Sequence, residues 1–229
     1  MNGEPFDVVR AGESTLIVRF ANRIDPAVNA RAISLARALA DARLAGVRDV
    51  APTYRSVAVH FDPLRTDYDA LVERVEMETA RDASVGGAAA AVRVPVCYGG
   101  QFGPDLAAVA AFADVTEAEA IGLHTSRTYR VFMLGFVAGF AYMGTVDARI
   151  AAPRLTSPRL NVPAGSVGIA GVQTGIYPCA TPGGWQIVGR TPIATFDLRR
   201  TPPCLFEAGD SVEFHAIGPD EYRRLESSG

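Results

Sequence analysis

The chain has 229 residues, 48% of them hydrophobic and 21% charged, with a formal net charge of -3. That length and balance describe folded globular material, one large or two ordinary domains, and exclude a disordered chain. A slightly acidic chain without a clustered basic stripe is no nucleic-acid binder, and no apolar run approaches the roughly 20 residues of a membrane helix.

In chain order, Phe6–Arg10 and Thr15–Phe20 read as two strands around a turn at Gly12. Asp25-Pro26 supplies an N-cap and a first-turn proline, after which Val28, Ala32, Leu35 and Leu39 recur at helical spacing and Gly46 closes the helix. Val47–Thr53 and Ser56–Phe61 form a second strand pair, and Asp67–Thr79 reads as a second amphipathic helix. This β-β-α-β-β-α order predicts a small α+β domain over residues 1–85, an antiparallel sheet with two helices on one face. The small, aperiodic run Asp82–Ala91 reads as a linker.

From Val92 the pattern changes. The strand VRVPVCY carries Pro95, which suits an edge or a bulge. A helix is expected over Pro104–Phe112, and a second after the capping-box pattern Thr116-Glu117-Ala118-Glu119, with His124 at or just beyond its end. Short β segments follow, YRVFML, SVGIAG, WQIVGR, ATFDL and SVEFHAI, separated by Gly/Pro turns and capped by a helix over Asp220–Leu225. Residues 92–229 therefore read as a mainly-β barrel or sandwich. Ten of the 22 glycines fall between Gly135 and Arg190, among regularly placed prolines. Such density suggests a surface of shaped loops that presents main-chain amides and a few side chains.

The N-terminus has acids and a strand pattern where a signal peptide would be basic and then apolar, so the cytoplasm is the expected location. All 22 basic residues are arginine, as coding bias toward Ala, Arg and Gly would produce. The lack of lysine excludes a P-loop lysine, a Schiff base and a biotin-carrying lysine in this polypeptide. Cys97, Cys179 and Cys204 are widely spaced and read as small buried hydrophobes. His60, His124 and His215 show no zinc spacing, and no metal site is expected.

Several residues can carry chemistry. His124 is the best titratable candidate for moving a proton, although capping of the helix C-terminus explains it equally well. Gln173 and Thr174, flanked by glycines in GVQTGIYP, offer an amide and a hydroxyl to a ligand or to a turn. Arg154 and Arg159 in PRLTSPRL are placed to grip a carboxylate or a phosphate, unless they are solvated loop arginines. Phe136, Phe140 and Tyr142, with the single tryptophan Trp185, suit a pocket wall or an interface anchor, with core packing as the rival reading.

Taken together, CYGGQFGPDL, LHTSRTYRVFMLGF, GFAYMG, PRLTSPRLNVPAGSVGIAGVQTGIYP, PGGWQIVGRTP and FEAGDSVEF resemble the family of B-type subunits of bacterial 5-oxoprolinase. That family also includes an inhibitor of a sporulation histidine kinase and the allophanate hydrolase subunit 1 group. The resemblance implies an α+β N-terminal domain followed by a cyclophilin-like barrel. It further implies a subunit that works with a homologous C-type partner and an A-type partner, the complex using ATP to open 5-oxoproline to glutamate. On that reading this chain contributes half a site: Gln173 and Thr174 for amide recognition, an arginine for carboxylate or phosphate, and His124 for a proton. Two alternatives follow from the same family: a module that docks on a histidine kinase, and a carboxyltransferase component of a urea or allophanate pathway, whose biotin would sit on another chain. The family commonly has proline where this chain has Ala138, which removes a φ constraint and costs about 0.5–1 kcal/mol through unfolded-state entropy.

Overall fold

A computed structural model describes residues 5–81 and 91–227. The chain divides into two compact units, Met1–Gly87 and Ala88–Gly229. Residues 82–90 of the expected linker lie outside the described residues.

In the first unit, strands β1 (Asp7–Arg10), β2 (Thr15–Arg19), β3 (Val47–Pro52) and β4 (Ser56–Phe61) form an antiparallel sheet of order β1-β2-β4-β3. Alternation in β2 and β4 sends Leu16, Val18, Val57, Val59 and Phe61 to one face. There they meet Val28, Ala32, Leu35 and Leu39 of α1 (Pro26–Asp41) and Leu71 and Val75 of α2 (Tyr68–Ala80). Asp25 and Asp67 cap the two helices through their carboxylates. Helix α1 ends at Asp41, before Gly46. That glycine serves the turn into β3 instead: its φ is +81°, and a Cβ there would lie 2.1 Å from the Thr66 hydroxyl.

The second unit is a closed seven-stranded barrel of order β10-β7-β6-β13-β5-β12-β9. Its strands are β5 (Val92–Tyr98), β6 (Thr128–Leu134), β7 (Ala141–Gly144), β9 (Ser166–Ala170), β10 (Gln173–Ile176), β12 (Gln186–Arg190) and β13 (Ser211–Ala216). Neighbours run antiparallel except β5 and β13. Strands β8 (Arg159–Val162) and β11 (Thr181–Gly183) make a separate ribbon. Helices α3 (Leu106–Ala113) and α4 (Glu117–Thr125) pack together, and α5 (Pro219–Glu226) contacts β5. No helix among the described residues is long and apolar enough to cross a membrane.

Pro95 has no sheet edge to occupy in a closed barrel. It is tolerated because β5 pairs with β12 only at Cys97 and Tyr98, leaving one side of Pro95 without a ladder partner. The expected strand ATFDL is absent, replaced by a single bridge between Phe196 and Cys204. Asp197 there ties down a turn by accepting hydrogen bonds from Arg199. Of the cysteines, Cys97 is buried, but Cys179 is exposed and Cys204 half-buried, so the buried reading holds for one of three.

The largest revision concerns the Gly/Pro-rich stretch. Expected as shaped loops around the strands SVGIAG and WQIVGR, it contributes those two strands and four more, β7 to β12 in all. Its strand glycines make room for rings: a Cβ on Gly175 would stand 3.1 Å from Phe140, and one on Gly183 only 2.5 Å from the Tyr177 hydroxyl.

Candidate functional site

Because β-strand side chains alternate, the barrel wall separates two apolar clusters. Inside lie Val94, Val96, Tyr129, Val131, Met143, Ile169, Ile176, Val188 and Phe214. Outside, a second cluster gathers Ala170 of β9 and Ile187 of β12 with Phe140, Tyr177 and Trp185, which lie one residue beyond the ends of β7, β10 and β12. The adjacent residues Ile187 and Val188 point to opposite clusters.

The outer cluster floors a cleft of about 470 Å³ whose walls include Phe136, Phe140, Tyr142, Arg154, Gln173 and Trp185. These are six of the nine residues singled out from the sequence, brought together from four segments. The rings meet edge to face: Phe140 lies 4.8 Å from Tyr142, 5.2 Å from Tyr177 and 5.4 Å from Trp185 between centroids. Phe136, at φ 69° and 59% exposed, stands at the rim against Phe140 and Tyr177. Burial raises the pKa values of the Tyr142 and Tyr177 phenols, so both stay neutral hydrogen-bonding groups. Arg154 is exposed and forms no ion pair among the described residues. A Cβ placed on Gly184 would lie 3.7 Å from its Nη2, so the guanidinium lies beside Gly184, just after β11. Gln173 is half-buried on the same wall. The cleft thus offers an apolar floor, one cation, a primary amide and phenolic hydroxyls.

Three candidates lie elsewhere. Thr174, next to Gln173, points the other way, into the barrel, and is fully buried. There its hydroxyl donates to the Gly168 carbonyl at 3.1 Å and meets His124 Nε2 at 2.9 Å. His124, in the last turn of α4, is 1% exposed and stacks 4.8 Å from Phe214. Its Nδ1 lies 2.7 Å from the Tyr98 hydroxyl, and Tyr129 donates to its carbonyl. Burial lowers its pKa to about 3. The imidazole is a neutral core group one strand removed from the cleft, which is not a surface position for exchanging protons with a ligand. Arg159 is also engaged, gripping Asp105 through two hydrogen bonds of 2.9 and 2.6 Å. Tyr177, Pro158 and Gly184 line the cleft without having been singled out; nothing in their spacing marks them, since they converge only through the barrel's closure. Among the described residues no three His, Cys, Asp or Glu side chains gather as a metal ion would require.

The family described as "Carboxyltransferase domain, subdomain C and D" matches residues 6–206. A Bacillus subtilis (strain 168) protein, named as the B-type subunit of 5-oxoprolinase, is 39% identical over 230 residues, covering 95% of each chain. The chain belongs to this family. An Escherichia coli O157:H7 relative of the same name is 39% identical over 204 residues, 89% of this chain and 92% of its own. The crystal structure of TTHA0988 superposes with a TM-score of 0.82 at 34% identity, covering 90% of this chain. This chain spans 41% of that one. The family's matched region includes every residue of the outer cleft.

Proposed function

We propose that the chain is a subunit of an ATP-dependent 5-oxoprolinase, its barrel of the cyclophilin-like kind, and that the outer cleft is its part of the substrate site. The observation that carries this reading is the meeting of Arg154 and Gln173 over an aromatic floor. A five-membered lactam with a carboxylate presents one anion, one amide and a flat apolar edge. Arg154 takes the carboxylate by charge-assisted hydrogen bonds, Gln173 pairs with the lactam amide, and the edges of Phe140 and Trp185 bound the ring. Enclosure by the rings excludes water from the amide and strengthens both polar contacts.

The cleft does not fit a triphosphate: among its lining residues there is a single guanidinium, and the chain has no lysine. No step through ATP is therefore assigned to these residues, and nucleotide is left to a partner. The names of the relatives support a multi-subunit enzyme, which on this reading holds a C-type and an A-type partner. A purified complex of the three, given 5-oxoproline and ATP, is expected to release glutamate; absence of turnover overturns the assignment. The family description, with a relative named "Putative urea carboxylase", favours one second reading, a carboxyltransferase component of a urea-linked pathway. Turnover that requires a biotinylated partner and urea in place of 5-oxoproline would select it.

A further inference from the structure

Arg154 reaches the cleft from an irregular segment, residues 151–158, that leads into β8. A cation on such a segment is useful for recognition only if its backbone is fixed. Four ties fix it. The Ala152 carbonyl accepts from the Gly171 N–H at 2.7 Å, and the Pro153 carbonyl accepts from Gln186 Nε2 at 3.0 Å. Leu155 N–H donates to the Gly184 carbonyl at 2.8 Å. The fourth tie is Arg159, whose guanidinium meets both carboxylate oxygens of Asp105.

Asp105 is unusual among the acids of the chain. It occupies the N-cap position of α3 but makes no capping bond with its side chain. Its carboxylate, 9% exposed, instead accepts the Ile187 N–H at 2.6 Å along with the Arg159 fork. Its own N–H donates to the Ile187 carbonyl at 2.9 Å. One buried carboxylate therefore joins three elements: the start of α3, strand β12 two residues after Trp185, and strand β8 next to Pro158. Donors this complete offset the desolvation of the carboxylate and hold it stiffly in one geometry.

We infer that the Asp105–Arg159 pair is a positioning device of the cleft, holding the segment that carries Arg154 and Pro158 against the strand that follows Trp185. Asp105 acts through Arg159 and touches no ligand. The inference rests on the cleft being the substrate site, but its first test does not need a substrate.

Trp185 is the chain's single tryptophan, 6% exposed on the cleft floor, so its fluorescence reports this place alone. In the full chain, Arg159→Met is expected to raise quenching of Trp185 by acrylamide about threefold, as the segment lifts from Gly184. In the complex of all three partners the same variant should raise KM for 5-oxoproline about tenfold, with kcat less affected, because position and not chemistry is lost. Arg159→Lys restores the charge but not the two-pronged grip, and should recover thermal stability more fully than KM. If Arg159→Met does not fold, Asp105→Asn, which keeps an oxygen for the Ile187 N–H but removes the charge that Arg159 grips, replaces it with the same expected changes in smaller measure. Wild-type quenching together with wild-type KM in a folded variant would overturn the inference. An inactive wild-type complex would strike the functional reading instead and leave the quenching result standing.

Discussion

His124 Nε2 lies 2.9 Å from the Thr174 hydroxyl, and with the bond from Thr174 to Gly168 this contact orders the protons from Tyr98 to Gly168. Thr174 has a single hydroxyl proton, which goes to the Gly168 carbonyl. Its oxygen must therefore accept from His124, placing the imidazole proton on Nε2. Nδ1 is then the acceptor for the Tyr98 hydroxyl. The chain Tyr98 → His124 → Thr174 → Gly168 links β5, α4, β10 and β9 with no donor left over.

Thr174→Val keeps the shape but leaves the Nε2–H buried without an acceptor, at a cost of about 1–3 kcal/mol. Urea unfolding of the full chain should show that loss as a lower midpoint with an unchanged slope. Complex activity, scaled to the folded fraction, should change little, because the hydroxyl points away from the cleft. A specific loss of turnover at full folding would return Thr174 to the binding site.

The pH dependence has a definite sign. The His124 pKa is lowered from 6.5 to about 3, so below pH 6.5 the unfolded chain takes up a proton that the folded chain refuses. Stability is undiminished above pH 6.5 and falls as the pH drops, by up to about 1.4 kcal/mol per unit, until the folded form protonates as well. His124→Gln, which cannot titrate, should flatten the stability curve between those limits. Equal slopes for the two proteins would refute this.

Arg154→Ala removes an exposed side chain that forms no ion pair among the described residues and should leave the melting temperature unchanged. A charge-assisted hydrogen bond of about 1.5–3 kcal/mol corresponds to a rise of tenfold or more in the KM for 5-oxoproline. Gln173→Ala should cost less, about 1 kcal/mol, as befits a neutral partner. Unaltered kinetics in both variants would remove the cleft from the substrate site.

Gly183→Ala places a methyl 2.5 Å from the Tyr177 hydroxyl. Overpacking of this kind costs about 1–3 kcal/mol, and here it pushes Tyr177 against Phe140. The variant should melt earlier and show shifted Trp185 fluorescence. A wild-type spectrum would mean that the aromatic floor is less tightly packed than described.

Much was legible from residue order alone. Local signals fix local structure, so Asp25-Pro26, Asp67 and the Thr116/Glu119 capping box marked their helices, and the alternation in β2 and β4 marked the sheet face. The density of glycine and proline marked the stretch that lines the cleft, although it proved to be mostly strands whose glycines admit rings. Composition settled the missing lysine, and with it the chemistry this chain cannot supply. Only the closed barrel decided which side of its wall each candidate occupies. Gln173 and Thr174 are neighbours, yet a strand's period of two sends one to the cleft and the other to His124. Arg154 and Arg159 look alike in sequence, but Asp105, 54 positions from Arg159, claims one while the other lines the cleft. Such partnerships are set by long-range strand pairing, which short-range spacing does not encode.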